Sequence, residues 1–262
     1  MDRSELSEAI CDLAEAAGRE ILAVYAESQI QVRTKADASP VTAADERSEA
    51  LIIGRLAELA PEIPIVAEES VAQGRIPDIS GGRFFLVDPI DGTKEFISRN
   101  GEFTVNIALI ENREPTLGVV HLPALGETYW SAPDRRAWRR RLVGDPEPIY
   151  CREPGDGLVV VASRSHRDKS TDEFLERFPV DEVVSAGSSL KLCRVAEGAA
   201  DMYPRLGRTM EWDIAAGHAV LAAAGGQITT LAGAPLQYGK PGLDNPHFVA
   251  WGFDPKARGF LT

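Results

Sequence analysis

Cysteine is scarce: Cys11, Cys151 and Cys193 are the only three in 262 residues. They are widely spaced, odd in number and without a Cys-x-x-Cys pair, which excludes a disulfide framework and a zinc cluster. Long apolar runs are also lacking, since no stretch approaches the roughly 18 uninterrupted apolar residues of a membrane-spanning helix. The opening Met1-Asp2-Arg3-Ser4-Glu5-Leu6 shows charges in a helical pattern where an export signal has a basic region and an apolar core. A soluble, unexported, cytoplasmic protein is therefore expected. Positive charge is in deficit too. With 28 Lys and Arg against 40 Asp and Glu, the net charge of −12 argues against a broad grip on nucleic acid or anionic lipid and is compatible with a carboxylate-rich metal site. No Gly-x-x-x-x-Gly-Lys-Ser/Thr occurs, so a P-loop is unsupported.

What remains is an ordinary globular composition, 44% hydrophobic and 26% charged, with no internal repeat or low-complexity tract. At roughly 150 residues per domain, the length fits one large domain or two closely joined halves. Leu6, Ile10, Leu13, Ala17, Ile21 and Tyr25 recur at helical spacing. A turn at Ala36-Asp37-Ala38-Ser39-Pro40 leads to a second helix from about Thr42 to Leu59, stopped before Pro61. Ile63 to Ala67 and Phe84 to Val87 read as buried strands with acids at their carboxyl ends, Glu68-Glu69 and Asp88. Strands at Thr104 to Ile110, Leu117 to His121 and Glu127 to Trp130 follow. Beyond Pro154 strands and helices alternate: strand Leu158 to Ala162, helix Thr171 to Phe178, strand Val183-Val184, helix Ser188 to Glu197, a short strand near Met202, and helix Trp212 to Ala224. The expected division is an α+β half over 1–133, an Arg- and Pro-rich connection over 134–154, and an α/β half over 155–262. Arg135, Arg136, Arg139, Arg140 and Arg141 in the connection read as a solvated hairpin in preference to a basic lip for substrate.

The sharpest local feature is Asp88-Pro89-Ile90-Asp91-Gly92-Thr93. Two carboxylates three residues apart at a strand end can converge on a hard cation, Pro89 stiffens the turn, and Gly92 lets a ligand approach the backbone. Thr93 is expected to cap the next helix. An acidic surface turn with a Thr N-cap accounts for the hexapeptide equally well, and the spacing does not fit an EF-hand calcium loop. Glu211-Trp212-Asp213 adds a distant acid in a first helical turn, where the helix dipole alone would favour it. Thr42-Ala43-Ala44-Asp45 reads as a capping box.

Val66-Ala67-Glu68-Glu69-Ser70, then Asp88 to Thr93, then Trp212-Asp213 with its Ala-Ala-Gly and the closing Gly225-Gly226, together resemble the lithium-sensitive, magnesium-dependent phosphomonoesterases of the inositol monophosphatase superfamily. The likeness runs from about Lys35 to Gly226. Gly187-Ser188-Ser189-Leu190-Lys191, Tyr203-Pro204-Arg205 and Lys94-Glu95-Phe96 are more similar to the 3′(2′),5′-bisphosphate nucleotidase branch, which hydrolyses adenosine 3′,5′-bisphosphate to AMP and phosphate. The implied fold is α/β, layered as the αβαβα sandwich of the inositol monophosphatase and fructose-1,6-bisphosphatase type.

The same resemblance implies that Glu68, Asp88 and the Ile90 carbonyl hold one Mg²⁺, while Asp88, Asp91 and Asp213 hold a second. Asp45 and Thr93 would orient and deprotonate the attacking water, a role that competes with helix capping for Asp45. Gly92, Thr93, Gly187, Ser188, Ser189, Lys191, Arg205 and Asp213 would meet a small phosphorylated nucleotide. Arg205 departs from inositol monophosphatases, which carry near this point an acid for ring hydroxyls; an arginine suits a second phosphate. Ser188 as a helix cap, and Ser163-Arg164-Ser165-His166 as a plain turn, are the competing structural readings. A phosphatase for inositol or another small sugar phosphate is the alternative activity.

Overall fold

The computed structural model describes residues 2–27, 31–34, 40–132, 134–141, 144–163 and 169–261. The turn over Ala36 to Ser39 and the Arg164-Ser165-His166 segment lie outside these residues, as does Lys35. Helix α1 (Arg3–Tyr25) opens with a reciprocal capping box between Asp2 and Glu5, and its apolar stripe, including Leu6, Ile10, Leu13, Ala17 and Ile21, is buried. Strands β1 (Val32–Thr34) and β2 (Pro40–Thr42) form a small antiparallel pair that feeds α2 (Ala43–Leu59).

Next come β3 (Ile65–Ala67), α3 (Glu68–Ala72), β4 (Arg83–Asp91) and α4 (Thr93–Ile97), followed by β5 (Thr104–Glu111), β6 (Glu114–Leu122), β7 (Glu127–Ser131), β8 (Ala137–Arg141) and β9 (Glu147–Ile149). Strands β3 to β9 make a seven-stranded sheet in chain order, antiparallel except for the parallel β3–β4 pair. The segment 134–154 thus contributes two strands to this sheet. Its hairpin arginines are paired: Arg139 with Glu147 and Glu197, Arg140 with Glu15, and Arg141 with Glu127 at 3.3 Å.

The chain then builds β10 (Leu158–Ser163), α5 (Lys169–Leu175), β11 (Val180–Ala186), α6 (Leu190–Ala196), β12 (Met202–Arg205), α7 (Glu211–Ala223), β13 (Gln227–Thr230) and β14 (Phe248–Trp251). These strands form a five-stranded sheet ordered β11-β10-β12-β14-β13. One core lies between α1, α2 and the first sheet. A second lies between the other face of that sheet, α6, α7 and the second sheet. A third joins the far face of the second sheet to Leu175, Phe174 and Phe178. The five layers are α, β, α, β, α, the sandwich expected. Among the described residues, no helix is long and apolar enough to cross a membrane.

The middle layer packs so closely that α7 leaves no room for a side chain on β6. A Cβ at Gly118 would stand 2.5 Å from the Ala216 carbonyl oxygen and 2.7 Å from the Ala219 Cβ. Main chain cannot swing aside, so either the helix lifts or the sheet bends. Gly118→Ala is expected to destabilise the protein by about 1–3 kcal/mol in equilibrium urea unfolding. Exposed Gly54 in α2 has open space around it, and Gly54→Ala should stabilise by about 0.5–1 kcal/mol. Equal effects at the two positions would refute this account of the packing.

Candidate active site

Side chains on a strand alternate, so residues three apart normally face opposite ways. On β4 they do not. Asp88 is the register partner of Asn106 on β5 and Asp91 is the partner of Thr104, so three steps on β4 match two on β5. This bulge turns Asp88 and Asp91 to one face, toward α7, and sends the Ile90 side chain into the opposite core. Pro89, with no N–H to give a ladder, is tolerated at the break. Parallel pairing sets Ala67 beside Val87, which brings Glu68, the first residue of α3, next to Asp88. Glu49 of α2 fixes that helix start: its carboxylate accepts the Glu69 N–H and the Ser70 hydroxyl, each at 2.7 Å.

Asp213 arrives from the second half as the third residue of α7, its Oδ2 accepting the Met210 N–H at 2.9 Å. Neighbouring Glu211 is fully buried and accepts bonds from the Gly239 and Lys240 N–H groups and the Lys240 ammonium. Asn245 donates to the Met210 carbonyl at 2.7 Å. The start of α7 is therefore held from both sides.

These acids share one field. Burial, then the charges of Glu68, Asp91 and Asp213, hold the Asp88 carboxyl well above its usual range. Burial likewise raises Asp213, with Asp91 and Glu68 adding to it. Asp91 is pushed up to about 6 by burial, against the opposing pull of Lys191. Among the described residues, no three His, Cys, Asp or Glu side chains already stand in metal-holding geometry. The donor chemistry nonetheless fits a hard cation. Every donor is oxygen, the carboxylates crowd like charge in a buried place, and Asp88 Oδ1 is buried with no hydrogen-bond partner among the described residues. Two carboxylates with the Ile90 carbonyl and water would form one such set without a third acid.

Asp45 lies at the third position of α2, where the capping box is present: the Thr42 N–H and hydroxyl both donate to Asp45 Oδ2, at 2.8 and 2.7 Å. Thr93, in contrast to the expectation, caps nothing. Gly92 precedes α4 with φ of 92°, a conformation that suits glycine, and no side chain caps the helix. The Thr93 hydroxyl instead reaches back to the Ile90 carbonyl at 3.4 Å, over the bulge.

A cleft of about 250 Å³ opens above this strand end. Asp91, Gly92 and Thr93 of the first half line it together with Ser188, Ser189, Lys191, Arg205 and Asp213 of the second. Glu68, Asp88, Ile90, Asp45 and Gly187 are not part of its lining. Gly187 has a packing role, because a Cβ there would come within 2.8 Å of Glu95 and 2.9 Å of the Glu102 carbonyl. Ser188, at φ of 40°, does not cap α6 but donates to the Glu102 carbonyl at 2.8 Å. Lys191 is buried, donates to the Ser188 carbonyl at 2.6 Å and sits 5.5 Å from the Tyr203 ring. Burial, opposed by Asp91, brings its ammonium down to about 8. Arg205 donates to the Arg208 carbonyl at 3.1 Å, while its Nε is buried and unpartnered among the described residues. Ser163 also lines the cleft.

Sequence reasoning passed over Asn106 and Glu102, which support the cleft, and Arg208 at its edge. Asn106 leaves a faint signal, a lone amide within the apolar run Thr104-Val105-Asn106-Ile107-Ala108-Leu109-Ile110. Glu102 and Arg208 leave none, because their roles depend on contacts distant in sequence.

Residues 2–256 match the model of the inositol monophosphatase family. The chain is 47% identical over 230 residues to the Shigella flexneri protein named 3′(2′),5′-bisphosphate nucleotidase CysQ, covering 87% of this chain and 92% of that one. The counterpart from Escherichia coli K12 is 46% identical over the same shares. Among solved structures, CysQ from Bacteroides thetaiotaomicron, described as a bacterial member of the inositol monophosphatase family, matches with a TM-score of 0.78 at 36% identity over 95% of this chain and 97% of that one. The Thermotoga maritima inositol monophosphatase gives 0.79 at 27% identity, over 98% and 95%. A family model matched from the second residue almost to the last, with relatives near half identity, makes this chain a member of the inositol monophosphatase family.

Proposed function

We propose that this chain is a Mg²⁺-dependent phosphomonoesterase that hydrolyses adenosine 3′,5′-bisphosphate to AMP and phosphate. The observation that carries the reading is one cleft lined both by carboxylates, Asp91 and Asp213, and by cations, Lys191 and Arg205. A monophosphate needs only the first. The nearness of bisphosphate nucleotidases in sequence, at 47% identity, supports the same choice over an inositol phosphatase.

Glu68, Asp88 and the Ile90 carbonyl would hold one Mg²⁺, and Asp88, Asp91 and Asp213 a second, with Asp88 common to both. When bound, Mg²⁺ supplies Lewis acidity to the phosphoryl oxygens and the leaving oxygen. The chain's own groups do the rest. The Thr93 hydroxyl, placed over the bulge, orients the attacking water, and Asp45 accepts its proton through that hydroxyl. Both Thr42 donors fall on Asp45 Oδ2, so the cap holds the carboxylate in one orientation. Gly92 lets the phosphate approach the backbone. Arg205 offers the remote phosphate a planar pair of donors, and Lys191 adds a point charge beside it. Ser188 and Ser189 form the edge of the nucleotide site.

Three outcomes test this reading. Asp88→Asn removes the shared anionic oxygen, so steady-state turnover at saturating Mg²⁺ should drop by at least about a thousandfold; near-normal turnover would remove Asp88 from the bridge. Asp45→Asn and Thr93→Ala act on one proton path, so the double variant should be little slower than the worse single one. Thr42→Ala should cost about 1 kcal/mol of stability and far less turnover than Asp45→Asn. If Asp45→Asn costs stability alone, Asp45 is only a cap. Finally, Arg205→Glu should lower kcat/KM for adenosine 3′,5′-bisphosphate about ten- to a hundredfold, the roughly 1.5–3 kcal/mol of a charge-assisted contact, while sparing inositol 1-phosphate. Equal losses on both substrates would favour a sugar-phosphate phosphatase.

A further inference from the structure

Glu68, Asp88 and the Ile90 carbonyl all belong to adjoining strand ends of one sheet, and the backbone ladder sets their spacing. Asp91 and Asp213 have no such common frame. One lies on the bulge of the first sheet, the other on α7, and neither ladder nor helix fixes the distance between them. Something else has to do so.

Ser189, almost fully buried at the start of α6, touches both. Its main chain lies near the Asp91 carboxylate and favours the ionised form. Its hydroxyl donates to the main-chain carbonyl of Asp213 at 2.6 Å. The Ser189 hydroxyl oxygen in turn accepts the Asn106 side-chain N–H at 3.0 Å. Asn106 is buried on β5 as the register partner of Asp88. A serine hydroxyl has one proton, and a carbonyl can only accept, so the directions are forced: Ser189 gives to Asp213 and takes from Asn106. The amide orientation is forced with them, and Asn106 Oδ1 is left buried without a partner among the described residues, as are Asp88 Oδ1 and Thr104 Oγ1 on the same face. Leaving such atoms unpaired costs about 1–3 kcal/mol each, so stability alone does not account for the arrangement.

We propose that Asn106 and Ser189 form a tether that fixes Asp91 relative to Asp213 and thereby sets the affinity of the second metal position, leaving the first unaffected. The inference rests on the reading of these acids as metal ligands. Both are positioning residues. Neither donates an oxygen to the cation; each orients a group that does.

The test is a Mg²⁺ titration by isothermal calorimetry on the full chain without substrate, for wild type, Ser189→Ala, Asn106→Ala, the double variant and Ser189→Thr, with the unfolding temperature of each measured without metal. Wild type should bind in a tighter and a weaker class. Ser189→Ala and Asn106→Ala should weaken the weaker class about tenfold or more and leave the tighter one within about twofold. The double variant should be no worse than the poorer single one, and Ser189→Thr, which keeps the hydroxyl, should bind as wild type. Should Ser189→Ala fail to fold, Ser189→Cys, near in shape but a weak donor, gives the same comparison. A lowered unfolding temperature with both classes unshifted, or an equal shift in both, overturns the tether. A wild type that binds no Mg²⁺ overturns the metal reading itself, and the tether with it.

Discussion

A single additional residue between Asp88 and Asp91 breaks the alternation of β4, and the chemistry of the cleft depends on that break. Without it one of the two carboxylates would point into the apolar core under α1 and α2, where the Ile90 side chain now sits. With it, two acids and a main-chain carbonyl come to one strand end beside Glu68, and like charges accumulate in a buried place. Such crowding raises carboxyl pKa values by the mutual repulsion of anions that water no longer screens. It is tolerable where a cation or a proton offsets it. The bulge therefore decides which oxygens share that buried place.

The second half supplies what the strand end lacks. Asp213, Lys191 and Arg205 come from α7, α6 and β12, and they meet the bulge because α7 lies directly on the first sheet, where Gly118 has no side chain to hold it off. Around the Tyr129 hydroxyl, which bonds Glu127 at 2.8 Å and Glu197 at 3.0 Å, Arg139 pairs with Glu197 and Arg194 reaches the hydroxyl at 3.5 Å, joining the halves a second time. The two junctions are of different kinds, one apolar and close, the other ionic and half-buried.

Much of this was legible in the sequence where local chemistry decides. The stripe from Leu6 to Tyr25, the stop at Pro61 and the capping box at Thr42 each determine their own element. The strands from Phe84 to Trp130 show as buried apolar runs, and the acids that end them are visible as such. What was not legible depends on partners. Strands β8 and β9 are hidden by arginines whose heads pair with Glu15, Glu127, Glu147 and Glu197, since charge in a strand reads as loop until its partners are known. Strands β13 and β14 are four residues each and gain order only from the sheet they enter. Asp-Gly-Thr before a helix has the pattern of a cap, yet the left-handed Gly92 turns the Thr93 hydroxyl back over the bulge. Asn106 showed as one polar residue in an apolar run, with nothing to say what it met.

The order of strands in the second sheet has a bearing on how the enzyme comes into being during synthesis. Strand β14 lies between β12 and β13, although it is the last strand of the chain. Strand β12, which ends in Arg205, pairs with β10 at one position only, Val160 with Met202, but with β14 along all four of its residues. Domains emerge from the ribosome amino end first, so the acidic strand end and its sheet are complete while the cationic side still waits for Phe248 to Trp251. Arg205 is thus held last, and a nascent chain passes through a stage with Glu68, Asp88 and Asp91 gathered while β12 is not yet fixed.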